Sequence, residues 1–451
     1  MRDFRFRMIL AGLTLSAALL CGSVAWAQPP EFTNRQISII EDAVPQLLDQ
    51  EGAGRLYQAG EHLVLVMEGT PAEMGFQHGR LLAQKIRHII KEGYMPKALD
   101  GRGYTPEYTR AQSERMEKHF PPEIREEMEA IAAGCKAAGV EDITYEDVRL
   151  GVTQAEIQHF PPDSPPSCSN FACWGKWTTD GRLLHGRNLD WSIKGGAQDD
   201  AVIMIWRPKG GIPFMMPGWA GGAGSVSGMN ARGITLGEMT LPSPDATFDG
   251  LPLMLQMRLV LEKAEHLDDA VKMFENFPRT SGWNFIIGDA KIPDGRALET
   301  DAKHCTVFKP MDEKETAATG HWGMVDSVRR TNHPIGMDQL VRLGKTYGER
   351  FGLTVENADQ VTMLVPLLQT QDSWQRYEWL SRRIEDLPGK IDVPEAVKIL
   401  STGPVYCDVT LHAWVFDPVK NAAYVANAGG NPPVTATDRP FTKIDLTDWM
   451  K

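Results

Sequence analysis

The chain has 451 residues, a formal net charge of −12 at pH 7, 42% hydrophobic residues and 24% charged residues. This length allows one large folded domain or two. The acidic balance argues against a nucleic-acid partner and against attachment to anionic membrane surfaces, and it leaves a small-molecule partner open.

The first 27 residues predict a secretory signal peptide. Three arginines precede an apolar run that ends in AWA (25–27), which places small residues at the two positions that a signal peptidase reads. We therefore expect cleavage before Gln28 and a periplasmic or secreted protein. A lipoprotein anchor at Cys21 is disfavoured because Leu20 stands where a small residue is expected. No later apolar run reaches the ~20 residues that a membrane-spanning helix needs.

The region up to about residue 160 reads mostly as helix. Helical apolar spacing predicts a helix over 36–48, and HLVLVMEG (62–69) reads as a buried strand. Thr70, Pro71 and Glu73 then form the pattern of a capping box at the start of a helix. Two more helices are predicted over 122–138 and 145–160.

The second part of the chain alternates strand and helix patterns. Strands are predicted from Ala201, Gly233, Trp283, Arg296, His412 and Ala422. Helices are predicted over 253–264, 267–277, 358–368, 373–384 and 394–400. Strand runs interrupted by helix blocks favour an α+β fold, with helices packed on a largely antiparallel sheet.

Cysteine counting raises the question of a free thiol. The five cysteines after the predicted signal peptide are Cys135, Cys168, Cys173, Cys305 and Cys407. An odd number in an oxidising compartment leaves at least one thiol without an intramolecular partner. That thiol is either a buried, inert cysteine or a reactive one.

Other candidate sites give weaker signals. The glycine-rich segment 218–230 lacks the ending of a phosphate-binding loop, so we interpret it as a turn that lines a cleft. His304 and Cys305 have no further ligand at metal-site spacing, and we expect neither a metal nor a cofactor. The segment 330–334, RTNHP, fits either a loop or a site. Four tryptophans are candidates for lining an apolar pocket, although core packing is the more frequent role for any one of them: Trp174, Trp177, Trp219 and Trp283.

The stretch CSNFACWGKWTTDGRLLHGRNLDW (168–191) predicts a β-hairpin with a two-residue turn at Asp180–Gly181. Counting outward from this turn pairs Asp190 with Phe171 and Arg187 with Trp174. This register leaves Arg187 far from the first cysteine, so bringing the two together would require a bulge near residues 174–175. An ordinary hairpin with a Cys168–Cys173 disulfide is the alternative.

The same stretch resembles the nucleophile hairpin of the penicillin acyltransferase family of N-terminal-nucleophile hydrolases. The shared features are Cys168 followed by a small hydroxyl residue, a threonine before Asp180–Gly181, and GRNLDW (186–191). EGTPAEMGFQHGRLL (68–82), GMNARGITLGEMT (228–240), GWNFIIGDA (282–290), RRTNHP (329–334) and the closing strand pair also resemble family motifs, in order.

The resemblance implies a four-layer αββα sandwich that cuts its own chain between Ser167 and Cys168. Segments 28–167 and 168–451 would stay associated as one folded domain. The new N-terminal cysteine would supply both the nucleophilic thiol and, through its α-amine, the base. Arg187 would hold the thiolate, Asp190 would orient the α-amine, and Asn284 would donate a backbone N–H to the oxyanion.

The resemblance also implies the reaction. We expect an exported cysteine amidohydrolase or acyltransferase that acts on the linear carbon–nitrogen amide of a small acylated substrate, through a thioester on Cys168. Cys173 is a competing candidate for the nucleophile. Two other functions remain open: a phospholipase-like ester hydrolase on the same scaffold, and a non-enzymatic periplasmic binding protein with Cys168 and Cys173 in a disulfide.

Overall fold

A computed structural model describes residues 31–100, 103–159, 167–316, 320–348 and 352–450. The predicted signal peptide and Cys21 lie outside the described residues. Among the described residues, none of the helices combines the length and the apolar character that crossing a membrane would need.

Two large sheets dominate the structure. Sheet A contains β1 (Ile39–Ile40), β5 (Ser169–Cys173), β6 (Leu184–Asp190), β14 (Ser327–Arg330), β15 (Thr410–Asp417), β16 (Ala422–Asn427) and β17 (Phe441–Asp445). Sheet B contains β2 (Gln46–Glu51), β3 (Gly54–Ala59), β4 (His62–Gly69), β7 (Ala201–Pro208), β8 (Phe214–Trp219), β9 (Ser227–Asn230), β10 (Ile234–Thr240), β11 (Trp283–Asp289), β12 (Asp294–Thr300) and β13 (Cys305–Phe308). Their strand orders are β1-β17-β16-β15-β6-β5-β14 and β13-β12-β11-β10-β9-β8-β7-β4-β3-β2.

Helices fill the connections between these strands. They are α1 (Pro71–Arg87), which continues as a π-helical turn (His88–Glu92), α2 (Tyr94–Asp100), α3 (Pro106–Glu117), α4 (Pro122–Ala137), α5 (Tyr145–Gln158), α6 (Leu253–Lys263), α7 (Leu267–Asn276), α8 (Glu313–Thr316), α9 (Met337–Tyr347), α10 (Ala358–Leu368), α11 (Asp372–Glu385) and α12 (Val393–Leu400). The predicted capping box is present: the Thr70 side chain accepts from the Glu73 backbone, and the Glu73 carboxylate accepts from the Thr70 backbone.

The elements pack as four layers. Alternate residues of β7, such as Ile203 and Ile205, meet Trp414 and Phe416 of β15 in an apolar core between the two sheets. The other face of sheet B is covered by α1, α4, α5, α6 and α7. The other face of sheet A is covered by α11 and α12. The predicted αββα sandwich is therefore confirmed.

Strands from before and after Cys168 share both sheets. β4 pairs with β7 in parallel, and β1 pairs with β17 in parallel; the other neighbouring strands pair antiparallel. Segments 31–159 and 167–450 are therefore joined by backbone hydrogen bonds at two separate places.

The predicted helix over 36–48 is wrong. These residues contribute β1 and the start of β2, and β2 forms a hairpin with β3 at the edge of sheet B. Gly52 has a φ of 55°, a left-handed conformation that a tight turn needs and that glycine adopts without strain. Leu47 and Leu48 are 49% and 48% exposed, so the apolar spacing over 36–48 does not correspond to a buried helix face.

The register predicted for the β5–β6 hairpin is also wrong. Asn170 pairs with Arg187, whereas the predicted register paired Arg187 with Trp174 and Asp190 with Phe171. Directly opposite residues of an antiparallel pair share a sheet face. The observed register brings Arg187 close to the start of β5 without the bulge that the predicted register needed.

The error arises from the connection between the two strands. Residues 174–183 form a long loop instead of a two-residue turn at Asp180–Gly181. Gly175 and Gly181 both have positive φ, and the Gly175 N–H donates to the Gly181 carbonyl over 3.0 Å. The Trp177 indole also donates to the carbonyl of Val325 over 2.6 Å. Contacts with distant segments therefore set the length of this loop.

Candidate active site

Cys168 lies immediately before β5 in the wall of an apolar cleft. The cleft encloses about 850 Å³, part of it open to solvent, and the cysteine is 1% exposed. The apolar lining includes Ile89, Ile90, Met95, Leu189, Ala197, Trp219, Val226, Leu253, Met254, Trp283 and Leu411. Few polar side chains reach the cleft, among them those of Gln154, Glu238 and Thr240. A thiol in this wall faces a space suited to an apolar group.

Asn332 and Arg376 hold the backbone of Cys168. The Cys168 N–H donates to Asn332 Oδ1 over 2.6 Å. The guanidinium of Arg376 donates to the Cys168 carbonyl, to Ser169 Oγ over 3.1 Å, and to Asn332 Oδ1 over 3.2 Å. Sequence reasoning missed both residues, although Asn332 lies in the RTNHP segment that it singled out. Arg376 lies in the predicted helix over 373–384 and has no motif of its own.

The loop that carries Asn332 is fixed by buried polar contacts. Glu299 accepts hydrogen bonds from the backbone N–H groups of Ile335, over 2.6 Å, and Gly336, over 3.0 Å. The Asn332 N–H donates to Ser373 Oγ over 2.8 Å. Residues 332–336 are therefore tied both to β12 and to the first turn of α11.

Arg187 lies on the same face of sheet A as Cys168 and is completely buried. Its guanidinium forms an ion pair with Glu238 over 2.5 Å and donates to the Glu238 carbonyl over 2.9 Å. A third contact joins Arg187 Nη1 to His412 Nε2 over 2.7 Å. Since Arg187 can only donate, this contact makes His412 Nε2 an acceptor and the imidazole neutral. Burial, with the charge of Arg187, lowers the pKa of His412 well below its usual value.

Asp190 lies at the end of β6, also beside Cys168. One carboxylate oxygen accepts from Thr410 Oγ1 over 2.6 Å, and the other is buried without a hydrogen-bond partner in the described part of the chain. Burial raises the pKa of the Asp190 carboxyl to about 7. The open oxygen of Asp190 can therefore accept one further donor.

The thiol of Cys168 is protonated near neutral pH in the uncut chain. Burial raises its pKa to about 12, and the negative charge of Glu238 acts in the same direction. The positive charge of Arg187 and the backbone N–H of Asp190 oppose this rise. The charges of Glu238 and Asp190 therefore raise the pKa of the thiol, and the charge of Arg187 lowers it.

The structure places Asn284 beneath the Asn332 loop. Its side-chain amide donates to the carbonyls of Thr331, over 2.9 Å, and His333, over 3.2 Å. Because β11 pairs with a strand on each side, its backbone N–H groups are directed at neighbouring strands. The oxyanion role of Asn284 stays a prediction, and the observed contacts support a positioning role.

The glycine-rich segment lines the cleft, as predicted, and His78 from α1 holds it. The Gly221 N–H donates to His78 Nε2 over 2.9 Å. Burial lowers the pKa of His78 to about 3, so the ring is neutral and can accept this bond. Trp219 and Trp283 line the cleft, whereas Trp174 and Trp177 pack in other apolar cores, which is the role expected more often for any one tryptophan.

Cys173 lies away from the cleft. Its side chain packs in the core between sheet A and helices α11 and α12, whereas Cys168 belongs to the core on the cleft side. Cys168 directly precedes β5 and Cys173 ends it, and side chains five positions apart along an extended chain point to opposite faces. All five cysteines after residue 27 are free thiols, so the alternative with a Cys168–Cys173 disulfide is wrong.

One cluster of potential metal ligands occurs in the described ranges, formed by Asp245, Asp301 and His304. Sequence spacing had not connected the two aspartates with His304. Lys303 pairs with Asp245 over 2.5 Å, and Arg342 pairs with Asp301 over 3.3 Å. Each of the two carboxylates therefore has a cationic partner, and the cluster is part of an ion-pair network.

The family model for acyl-coenzyme A:6-aminopenicillanic acid acyl-transferase matches residues 177–430, more than half of the chain. The matched range begins after Cys168 and contains Arg187, Asp190 and Asn332.

Two curated relatives match this chain at 28% and 24% identity. An uncharacterised protein of Archaeoglobus fulgidus is 28% identical over 357 residues, which cover 74% of this chain and 56% of that protein. The chain thus spans little more than half the length of the archaeal relative. Protein dcd1A of Dictyostelium discoideum is 24% identical over 460 residues, which cover 91% of this chain and 92% of that protein.

Two solved structures match at low identity and low TM-score. A Caenorhabditis elegans orthologue of N-acylethanolamine-hydrolyzing acid amidase is 17% identical, with a TM-score of 0.38, and the match covers 56% of this chain and 93% of that one. A mutant of conjugated bile acid hydrolase from Clostridium perfringens is 17% identical, with a TM-score of 0.39, covering 62% and 93%.

Proposed function

The chain belongs to the acyl-coenzyme A:6-aminopenicillanic acid acyl-transferase family, and on this premise we propose that it is an exported, self-cleaving cysteine amidohydrolase. The substrate is a linear amide with an apolar acyl group, and the acyl group passes through a thioester on Cys168. The observation that carries the proposal is the thiol in the wall of the apolar cleft, with Arg187 and Asp190 beside it.

Maturation begins with the peptide bond between Ser167 and Cys168. The Cys168 Sγ attacks the carbonyl carbon of Ser167, a C–S bond forms, the C–N bond breaks, and the thiol proton ends on the freed nitrogen. Water then hydrolyses the thioester. The products are a carboxylate on Ser167 and a Cys168 that carries both a free thiol and an α-amine.

The new α-amine becomes the base of the mature enzyme. Its pKa is near ~8 in an unperturbed N-terminus, so it can take the proton of its own thiol near neutral pH. Asn332 Oδ1, which accepts from the Cys168 nitrogen in the uncut chain, continues to orient that nitrogen. The open oxygen of Asp190 accepts a second hydrogen bond from it, and Arg187 stabilises the thiolate.

Turnover repeats the same chemistry on the substrate. The thiolate attacks the amide carbonyl, the amine leaves with a proton from the α-ammonium of Cys168, and water hydrolyses the resulting thioester. The leaving amine departs toward the open side of the cleft while the acyl group stays against the apolar wall. An amine acceptor that fits the site competes with water for the same thioester.

Hydrolysis is the physiological outcome that export favours. The predicted signal peptide sends the chain away from the cytoplasm, where acyl-coenzyme A is made, and leaves water as the abundant acceptor. Adding a good amine should therefore divert product from free acid to new amide without accelerating substrate loss when acylation is limiting. A strict requirement for acyl-coenzyme A, with no free acid from any amide, would contradict hydrolysis.

The test of the proposed function combines maturation with a substrate panel. Purified protein should run as two bands on a denaturing, reducing gel, and N-terminal sequencing of the larger band should begin at Cys168. Matched N-acyl amides and acyl esters should then separate amide hydrolysis from ester hydrolysis. A single intact band, or a fragment that begins elsewhere, would contradict the proposal.

A further inference from the structure

Polar contacts hold both sides of the Ser167–Cys168 bond. On the Cys168 side, Asn332 accepts from the N–H over 2.6 Å and Arg376 donates to the carbonyl. On the other side, Ser167 Oγ donates to Asp372 Oδ2 over 3.4 Å. The bond that would break is therefore flanked by three side chains.

Asp372 connects the two sides. The same Oδ2 atom that accepts from Ser167 also accepts from Arg376 Nε over 2.7 Å. Arg376 is 1% exposed at its side chain, whereas Asp372 is 65% exposed. One carboxylate oxygen at the surface thus joins the residue before the bond to the buried guanidinium that holds the residue after it.

We propose that Asp372 is a positioning residue for self-cleavage, which fixes Ser167 relative to Arg376 so that the Cys168 thiol faces the Ser167 carbonyl. This inference rests on the proposed function, because it assumes that the chain cuts at this bond. The Ser167–Asp372 contact serves only the uncut chain, since hydrolysis of the thioester separates Ser167 from Cys168. Ser167 therefore affects the rate of maturation and not the later turnover.

The experiment follows the intact band with time for the wild type, Ser167→Ala, Asp372→Ala and the double variant. We expect each single variant to mature roughly tenfold more slowly, which corresponds to one lost hydrogen bond to a charged group. The double variant should be no slower than Asp372→Ala, because both changes remove the same contact. Ser167→Thr keeps the hydroxyl and should mature at the wild-type rate.

Two controls separate positioning from folding. Glu378→Ala removes another half-exposed carboxylate of α11, one that pairs with Arg382 instead of the cleavage site, and should leave maturation unchanged. Once fully matured, Ser167→Ala should have the wild-type kcat and KM, whereas a general structural defect would lower kcat or raise KM.

The outcomes distinguish the two levels of inference. A wild-type chain that stays whole overturns the proposed function, and this inference with it. If the wild type cuts but no faster than Ser167→Ala, the role of Asp372 is overturned and the proposed function still stands. Additive slowing in the double variant also overturns it, because the two side chains would then act independently.

Discussion

The backbone N–H of Cys168 donates to the side-chain oxygen of Asn332 over 2.6 Å, although 164 positions separate the two residues. The amide of Asn332 is itself fixed, because its Nδ2 donates to the carbonyl and to the hydroxyl of Thr240, each over 3.0 Å. This leaves Oδ1 directed at the nitrogen of Cys168. Asn332 can therefore orient that nitrogen as an amide before cleavage and as an amine afterwards.

Asn332→Ala should slow both self-cleavage and turnover by roughly 30- to 150-fold, because a buried N–H loses its acceptor at a cost of ~2–3 kcal/mol. Gel densitometry gives the first rate, and kcat of the matured fraction gives the second. Asn276→Ala is the matched control, at an exposed asparagine of α7 whose side chain donates to the Lys272 carbonyl of the same helix. Wild-type maturation in Asn332→Ala would rule out this role.

Cys168→Ala should remain a single chain, and Cys173→Ala should still cut. The physical reason is that Cys168 lines the cleft, whereas Cys173 is completely buried in the core between sheet A and helices α11 and α12. N-terminal sequencing and intact mass of each variant decide between them. Cleavage in Cys168→Ala would transfer the nucleophile role to another residue.

Much of the fold was predictable because its signals are local. The capping box at Thr70, the buried strand over 62–69 and the helices after residue 250 depend on neighbouring residues and on apolar periodicity. The helix predicted over 36–48 failed because that segment is an exposed sheet edge, where the partner strand decides the conformation. Hydrogen bonding to β3 is not visible in the periodicity of one segment.

Residues of the candidate site were predictable only where they lie in a recognisable sequence motif. Cys168, Arg187 and Asp190 lie in one hairpin motif, and the structure brings them together despite the wrong register. Asn332 and Arg376 reach Cys168 through tertiary packing of a loop and a helix from far along the chain. A single sequence contains no signal for such a contact.

Asn284→Ala should reduce kcat by loosening the loop that carries Asn332, since its side chain donates to the carbonyls of Thr331 and His333. A double-mutant cycle with Asn332→Ala should therefore be strongly non-additive. The cycle is measured as kcat and maturation rate in all four proteins. Full additivity would contradict this positioning role, because the two side chains would then act independently.

Asp190 should make stability depend on pH. Burial raises its pKa to about 7 in the folded chain, above the ~4 of an unfolded aspartate. Between these two pKa values the folded state therefore binds more protons than the unfolded state. The contribution of Asp190 to the free energy of unfolding is fully present below about pH 4 and is lost as pH rises through about 7.

Asp190→Asn removes this titration. The measurement is urea unfolding from pH 4 to 8 in a Cys168→Ala background that cannot cut. As pH rises over this range, the free energy of unfolding of the Asp190→Asn variant should increase by on the order of 4 kcal/mol relative to that of its parent. Asp268→Asn, at an exposed aspartate of α7, should show no comparable change. A pH-independent difference between Asp190→Asn and its parent would mean that Asp190 is ionised throughout this range.

Ala155→Leu should shift the preferred substrate toward shorter acyl groups. Ala155 lines the cleft from α5, so a larger side chain fills space that a long acyl chain would occupy. Each buried methylene contributes about 0.8 kcal/mol, so displacing two of them lowers kcat/KM for long-chain amides by roughly 15-fold. Short-chain amides should be unaffected, because they do not reach that wall.

Ala133→Leu, on the exposed face of α4, controls for the added bulk. The measurement is kcat/KM across a series of N-acyl amides that differ only in chain length. An equal loss at every length would place the acyl group elsewhere, because a cleft that binds the chain must discriminate by length when one wall moves inward.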